Sequence, residues 1–315
     1  ARKYVHQLRN DVDAVMVGIN TVVRDDPLLD SRLVNGKNPL KVIVDSGLKI
    51  SEKAKVLKDP AKVIIATTTK APIKKIEKLH PKSLQGPTLQ IIGKKIVAVK
   101  RRAKMIWIDL QGNLNLLIHL KMTGQLLING QEGKHTRVII QLTKDRLIFN
   151  DLRLFGWIKV VNNQQLKDHF AKLPPDVVDK EFTRKYLEKM LNSSGRAIKL
   201  VLLDQQKMGG IGNIYANDSL FCAGVDPRRS AKTVIELQVR NLHKCLRQVI
   251  NKGIKYGGST ASDENYVNAL GQPGRYQTKF LAYEQQGKKC RRCDGVIKKI
   301  KLGGRGTYYC PGCQK

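Results

Sequence analysis

Gly209-Gly210-Ile211-Gly212-Asn213-Ile214-Tyr215 leads straight into a helical stretch at 216–223. Glycines ahead of a helix expose backbone N–H groups, and the helix dipole favours an anion in front of them. Asn213 adds a side-chain amide donor. Most Gly-rich turns are only tight connections, so this one draws meaning from its surroundings. Leu203-Asp204-Gln205 precedes it, and Ala223-Gly224-Val225-Asp226-Pro227 follows. Beyond these, Leu237, Val239, Leu242, Leu246 and Val249 mark a long amphipathic helix over 234–250.

Further on, Cys290-Arg291-Arg292-Cys293 and Cys310-Pro311-Gly312-Cys313 form two CxxC pairs. That pattern presents four thiolates to one structural, tetrahedral Zn²⁺. Between the pairs, 296–302 and 307–309 read as short strands joined by Gly303-Gly304-Arg305-Gly306. Arg305 is thus expected at the tip of a metal-clamped hairpin, free to approach a polyanion closely. Cys222 and Cys245 stand apart in helical sequence and read as separate buried thiols. This usage points to a reducing cytoplasm and a metal site, not to a secreted disulfide framework.

Charge agrees with a polyanionic partner. Lys and Arg number 58 against 26 Asp and Glu, a net charge of +32, and each neutralised phosphate would release counterions. Lysine-rich runs such as 70–82 and 298–301 can also be mere solvation. A hydrophobic fraction of 41% excludes global disorder. No apolar run is long enough for a membrane span and no secretory segment opens the chain. Ala1 begins inside a helix-like stretch, which reads as a piece of a longer product.

Composition shifts divide the chain. The first 70 residues alternate a helix (2–10) with short strands (13–17, 41–45, 62–67), an α/β pattern. Residues 70–90 are Lys- and Pro-rich and read as a boundary. Strands at 96–110, 114–122, 136–142, 146–150 and 157–161 then fit an antiparallel β-sandwich, with turn chemistry at 111–113 and 143–145. The predicted fold is multidomain α+β: an α/β segment at 1–80, a sandwich at 85–162, a helical domain at 163–260 and a zinc ribbon at 284–315.

The glycine turn and its flanks resemble the helix-two-turn-helix of the bacterial formamidopyrimidine-DNA glycosylase family. Arg101-Arg102-Ala103-Lys104, 118–124 (Ile-His-Leu-Lys-Met-Thr-Gly), 151–156 (Asp-Leu-Arg-Leu-Phe-Gly), Gly257-Gly258-Ser259-Thr260 and the tail at 304–314 keep the family order. The resemblance covers about 230 residues, from about 85 to 315. It implies a monomeric, nucleoid-associated base-excision-repair enzyme acting on duplex DNA with oxidised bases or abasic sites. Such an enzyme excises oxidised purines and cleaves the strand by β/δ-elimination. An enzyme that extrudes a nucleotide must fill the vacated stack, and Met122, Arg153 and Phe155 match the void-filling positions. From the residues alone, Met122 and Phe155 would be core and Arg153 a surface charge. Lys104, His135, Asn213 and Arg305 match phosphate-gripping positions; Lys104 and Arg305 also match the proton donors of strand cleavage. His119 reads as a satisfied core histidine.

The family nucleophile is an N-terminal proline followed by glutamate, and no Pro-Glu-Leu-Pro-Glu stretch occurs here. That segment is expected to be missing from this chain. In its place, 1–9, 13–18, 21–29 and 39–46 resemble the dihydrofolate-reductase-like reductase domain of riboflavin biosynthesis. Thr21, Asp25 and Ser46 match its nucleotide-contacting positions, and Arg9, Leu29 and Arg32 its substrate-side ones. The match stops before that domain's second half, so no NADPH binding is expected. Leu152 and Leu154 replace a proline and an arginine usual in the glycosylases, and 192–195 lies where relatives often carry a lysine cluster, although Arg196 and Lys199 remain. Two other readings follow: a non-catalytic damaged-DNA-binding protein, and an NADPH-dependent reductase fused to a DNA-binding module.

Overall fold

A computed structural model of the chain describes residues 2–34, 36–45, 50–51, 53–58, 63–66, 72–260 and 266–315. Contacts divide it into one unit of Ala1–Pro72 with Gly93–Ala98 and another of Ile73–Ile92 with Val99–Lys315.

In the first unit, α1 (Arg2–Asp11), β1 (Ala14–Gly18), α2 (Ile19–Asp25), β2 (Leu40–Val44) and β3 (Val63–Ala66) follow in order. The three strands form a parallel sheet, β1-β2-β3. Val22, Leu29, Ile43 and Val56 make its core. Leu29 is thus a packing residue. Arg9 donates to the Asp30 carbonyl (3.2 Å) and Arg32 pairs with the Asp30 carboxylate (2.5 Å). Thr21 is half-buried on α2, while exposed Asp25 pairs with Arg24 (2.9 Å). Ser46 lies outside the described residues.

The sandwich is built from β4 (Lys75–Lys78), β5 (Leu84–Gln85), β6 (Ile96–Arg102), β7 (Met105–Leu110), β8 (Leu114–His119), β9 (Gly124–Ile128), β10 (Thr136–Gln141), β11 (Arg146–Asp151) and β12 (Trp157–Asn162). Its sheets have the orders β4-β10-β11-β9 and β5-β12-β8-β7-β6. The fully buried Leu116, Leu117, Ile118, Val138, Ile148 and Ile158 supply the apolar faces that hold it together. Three expectations change here. The single strand expected at 96–110 is a hairpin, because Ala103 takes a left-handed φ of 53° and turns the chain. Strand β9 carries no long apolar run and was not predicted. The stretch expected as a boundary supplies β4, which pairs antiparallel with β10.

Helices α3 (Asn163–Ala171), α4 (Arg184–Asn192), α5 (Ile198–Leu202), α6 (Asn213–Ala223) and α7 (Glu236–Lys255) follow, then the ribbon strands β13 (Lys298–Leu302) and β14 (Arg305–Tyr309). Leu187, Leu191, Val201, Leu202, Ile211, Leu220, Leu242 and Leu246 share one core. Helix α6 is buried along most of its length, Asn217, Asp218 and Ser219 included. Helix α7 packs against it at Gly253, where a Cβ would lie 2.5 Å from the Tyr215 hydroxyl. Cys222 and Cys245, expected as separate thiols, form a disulfide between α6 and α7. Their 23-residue separation in sequence concealed a pairing that antiparallel helix packing creates. Among the described residues no helix is long and apolar enough to cross a membrane.

Candidate nucleic-acid interface

Helix α6 has Gly212 as its N-cap, in extended backbone and without a side-chain cap, so its first N–H groups face outward. Two aspects of the turn hold it there. Gly210 has φ +86°, and a Cβ on it would come within 2.8 Å of the Asp176 carboxylate. Asp176 is buried and pairs with Arg101 (2.6 Å), whose guanidinium also donates to the Ala103 carbonyl (2.6 Å). One carboxylate therefore ties the glycine turn to the β6–β7 hairpin that carries Lys104.

Lys104 lies before the helix: its Nζ is 3.9 Å from the position a Cβ would occupy on Gly212. It keeps solvent access. Even so, the protein packed around it and then the charge of Arg305 lower its pKa to about 8. Burial, followed by Lys121, Lys104 and His169, lowers the pKa of His119 to about 4, so this ring is neutral. Its Nδ1 accepts from the Lys121 N–H (2.9 Å) and its ring tilts against Trp157. The ring is hydrogen-bonded as expected, but it is half-buried at the end of β8 and not in the core.

The third side of the site is the ribbon. Gly303 and Gly304, with φ of 56° and 76°, form the β13–β14 turn. Exposed Arg305 is consequently the first residue of β14 and not the tip of the loop, as expected. Asn213 on α6 donates to the Gly306 carbonyl (3.2 Å). Fully buried Lys199 on α5 donates to the same carbonyl (2.7 Å) and to Thr307 Oγ1 (2.6 Å). The Asn217 side chain accepts from the Tyr308 N–H (2.8 Å). At the other end of α6, Arg292 from the first CxxC knuckle donates to the carbonyls of Phe221 (2.7 Å) and Cys222 (2.6 Å). The ribbon thus fastens both ends of α6, and a cation at a helix C-terminus also suits the dipole.

Four sulfurs fit one zinc. Sγ–Sγ distances are 3.6 Å for Cys290–Cys313, 3.6 Å for Cys293–Cys310 and 3.2 Å for Cys293–Cys313, and all four lie within 4.8 Å of one another. A tetrahedral site with Zn–S near 2.3 Å needs edges of about 3.8 Å. These cysteines hold one structural Zn²⁺.

The sandwich presents a second cluster. Buried Asp151 accepts from Thr123 Oγ1 (2.6 Å), Gly156 N (2.7 Å) and Arg153 N (3.3 Å). It therefore joins the turn bearing Met122 to the turn bearing Arg153 and Phe155. Its own N–H donates to the His135 carbonyl (2.9 Å), which brings that half-buried histidine alongside. Met122 is 67% exposed and Phe155 53% exposed, with the Arg153 guanidinium 4.9 Å from the Phe155 ring. Large apolar side chains left in water on two tied turns are not core. Asp176 and Asn217 were not singled out from sequence, and Asp151 and Lys199 were named there without these roles; being buried and polar, each shows its role only through its partners.

A helix start, a sandwich hairpin and a zinc-clamped strand presenting cations and N–H groups together define a duplex-gripping protein of the helix-two-turn-helix and zinc-ribbon class. The formamidopyrimidine-DNA glycosylase H2TH domain matches residues 173–265, the formamidopyrimidine-DNA glycosylase N-terminal domain 61–158, and the zinc finger found in FPG and IleRS 287–315. The formamidopyrimidine-DNA glycosylase of Carboxydothermus hydrogenoformans is 39% identical over 236 residues, covering 74% of this chain and 86% of the relative. That of Pelotomaculum thermopropionicum is 38% identical, covering 76% and 90%. Among solved structures, Lactococcus lactis Fpg in complex with abasic-site DNA superposes with a TM-score of 0.73 at 30% identity, over 78% of this chain and 93% of that one. MutM (Fpg) of Thermus thermophilus gives 0.73 at 32%, over 78% and 92%. The chain belongs to the formamidopyrimidine-DNA glycosylase family.

Proposed function

We propose that this chain binds damaged duplex DNA in the bacterial cytoplasm, excises oxidised purines and cleaves the strand at the abasic site. The convergence of Lys104, the α6 N-terminus and Arg305 carries the reading. Three elements far apart in sequence support it: Lys104 stands before the uncapped start of α6, and Arg305 is near enough for its charge to act on Lys104. Asn213 supports the space by bonding to Gly306. In this reading Met122, Arg153 and Phe155 enter the stack when the damaged nucleotide leaves it. An apolar wedge, a cation and an aromatic ring suit that task. His135 would contact a neighbouring phosphate.

The domains are read as a reductase-like α/β segment, a sandwich, a helix-two-turn-helix domain and a zinc ribbon. The reductase-like reading of 1–80 rests on its motifs, and a parallel β1-β2-β3 sheet suits it. Arg9, Thr21, Asp25, Leu29, Arg32 and Ser46 are assigned no part in the repair chemistry.

The test is release of 8-oxoguanine from a duplex containing one such base, followed by strand scission. Release with scission is expected, and Arg305→Ala should lower the rate by about 10²-fold or more, as loss of a group that stabilises developing charge does. Tight binding with neither release nor scission would instead identify a non-catalytic damaged-DNA-binding protein.

A further inference from the structure

We propose that Leu154 is an apolar contact to DNA bases, a specificity-determining residue that gains its contact only where the base stack is open. The proposal rests on the damaged-DNA reading above and adds to it a residue that reading leaves unused. Three observations single Leu154 out.

The first is its backbone. Leu154 has a φ of 61°, a left-handed conformation that crowds an L side chain and that glycine or asparagine adopts more readily. A leucine held there points to a use for its side chain. The second is exposure. Leu154 is 42% exposed and Leu152 51% exposed, on the same turn as exposed Phe155. Exposed Met122 lies on the turn that Asp151 joins to this one, so four large apolar side chains stand in water on two tied turns. Single exposed leucines are ordinary on protein surfaces, but such a group marks a surface that another molecule covers.

The third observation is the rigidity of the mount. The Asp151 carboxylate accepts from the N–H groups of Arg153 (3.3 Å) and Gly156 (2.7 Å), one on each side of Leu154 in sequence. Thr123 Oγ1 also accepts from the Arg153 N–H (3.1 Å). A Cβ on Gly156 would lie 2.8 Å from the Phe149 ring, so the exit of the turn is closely packed too. Much of the ordering cost of this turn is therefore met before DNA arrives.

The chemistry of leucine selects the occupant. Its side chain has no donor for a phosphate oxygen, so a duplex can offer it only base faces and deoxyribose carbon. Arg153 and Phe155 flank it in sequence, and in the reading above both enter the stack. In an intact duplex the base faces are covered by their neighbours, whereas beside an extruded or missing nucleotide they lie open. Leu154 thus buries apolar surface on gapped DNA and little on intact DNA, and this gain releases no counterions.

The test compares affinities of the zinc-loaded full chain for a duplex with one tetrahydrofuran abasic analogue and for the same duplex intact, over a salt series. Leu154→Gly and Leu154→Asn both remove the apolar contact and suit the left-handed backbone. Both should keep the wild-type far-UV spectrum and a thermal midpoint close to it. Each should bind the abasic duplex about tenfold more weakly and the intact duplex as well as wild type does, with the salt slope unchanged. Leu154→Met, which keeps the apolar surface, should retain the wild-type ratio. An unchanged abasic preference in either the glycine or the asparagine variant would overturn the proposal and leave the damaged-DNA reading standing. So would an equal loss on both duplexes, the mark of a contact blind to the gap. A wild-type chain without preference for the abasic duplex would overturn both.

Discussion

Stripping zinc with a chelator, or replacing Cys310 by serine, is expected to abolish duplex binding while leaving the β-sandwich folded. The ribbon is a two-stranded hairpin, β13 with β14, and a lone hairpin is marginal in water. Its few apolar residues, Ile297 and Tyr308 among them, gather around Cys290 and Cys310. Zinc binding in such small modules contributes about 10–16 kcal/mol, so metal-free protein has little to hold the strands. Arg305 would be released from its place, and the Gly306 and Arg292 contacts that fasten α6 would be lost with it. Zinc content, far-UV circular dichroism and mobility-shift titration read the three consequences together. Undiminished binding by zinc-free protein would show that the ribbon does not organise the site.

Lys199→Met should stabilise the fold at pH 7, and the gain should vanish by about pH 10. Lys199 is fully buried; burial, then the charge of Arg305, lowers its pKa to about 7. A neutral amine still has two N–H bonds, enough for the Gly306 carbonyl and the Thr307 hydroxyl. Its folded pKa lies below the unfolded value of about 10.4, so the unfolded chain binds more protons between those limits. This group's effect on stability is therefore unfavourable at and below pH 7 and is relieved as pH rises. Methionine fills similar volume and carries no charge, so a gain on the order of 3 kcal/mol at pH 7 is expected. DNA binding should weaken in the same variant, because β14 loses a tether beside Arg305. Denaturant midpoints of both proteins at pH 7 and pH 10 decide it; a constant difference would mean that Lys199 is not near neutrality in the folded state.

How far the sequence could be read depended on where each signal resided. The CxxC pairs and the glycine turn were legible because their chemistry lies in adjacent residues; the four sulfurs stand where that spacing placed them, while α6 begins at Asn213, three residues before the helix expected at 216. Met122 and Phe155 were ambiguous, since an exposed wedge and a core side chain look alike until solvent exposure is seen. The tying roles of Asp151, Asp176 and Lys199 were invisible for another reason: each joins segments distant in sequence, and a lone buried polar residue leaves no periodic trace. The Cys222–Cys245 disulfide was missed on the same ground. Strand β4 was hidden by lysines at both of its ends, as befits an edge strand that discourages pairing.

The most direct test of a damage-recognising grip is the ratio of two affinities at matched salt. One duplex carries a single tetrahydrofuran abasic analogue, and the other has the same sequence intact. The site should hold the abasic duplex more tightly across a salt series, because its exposed Met122, Arg153 and Phe155 can fill an existing gap without first unstacking a base. Both affinities should fall as salt rises, with the ratio preserved. Equal affinity for the two duplexes at every salt concentration would contradict damage recognition and leave only a basic protein on a polyanion.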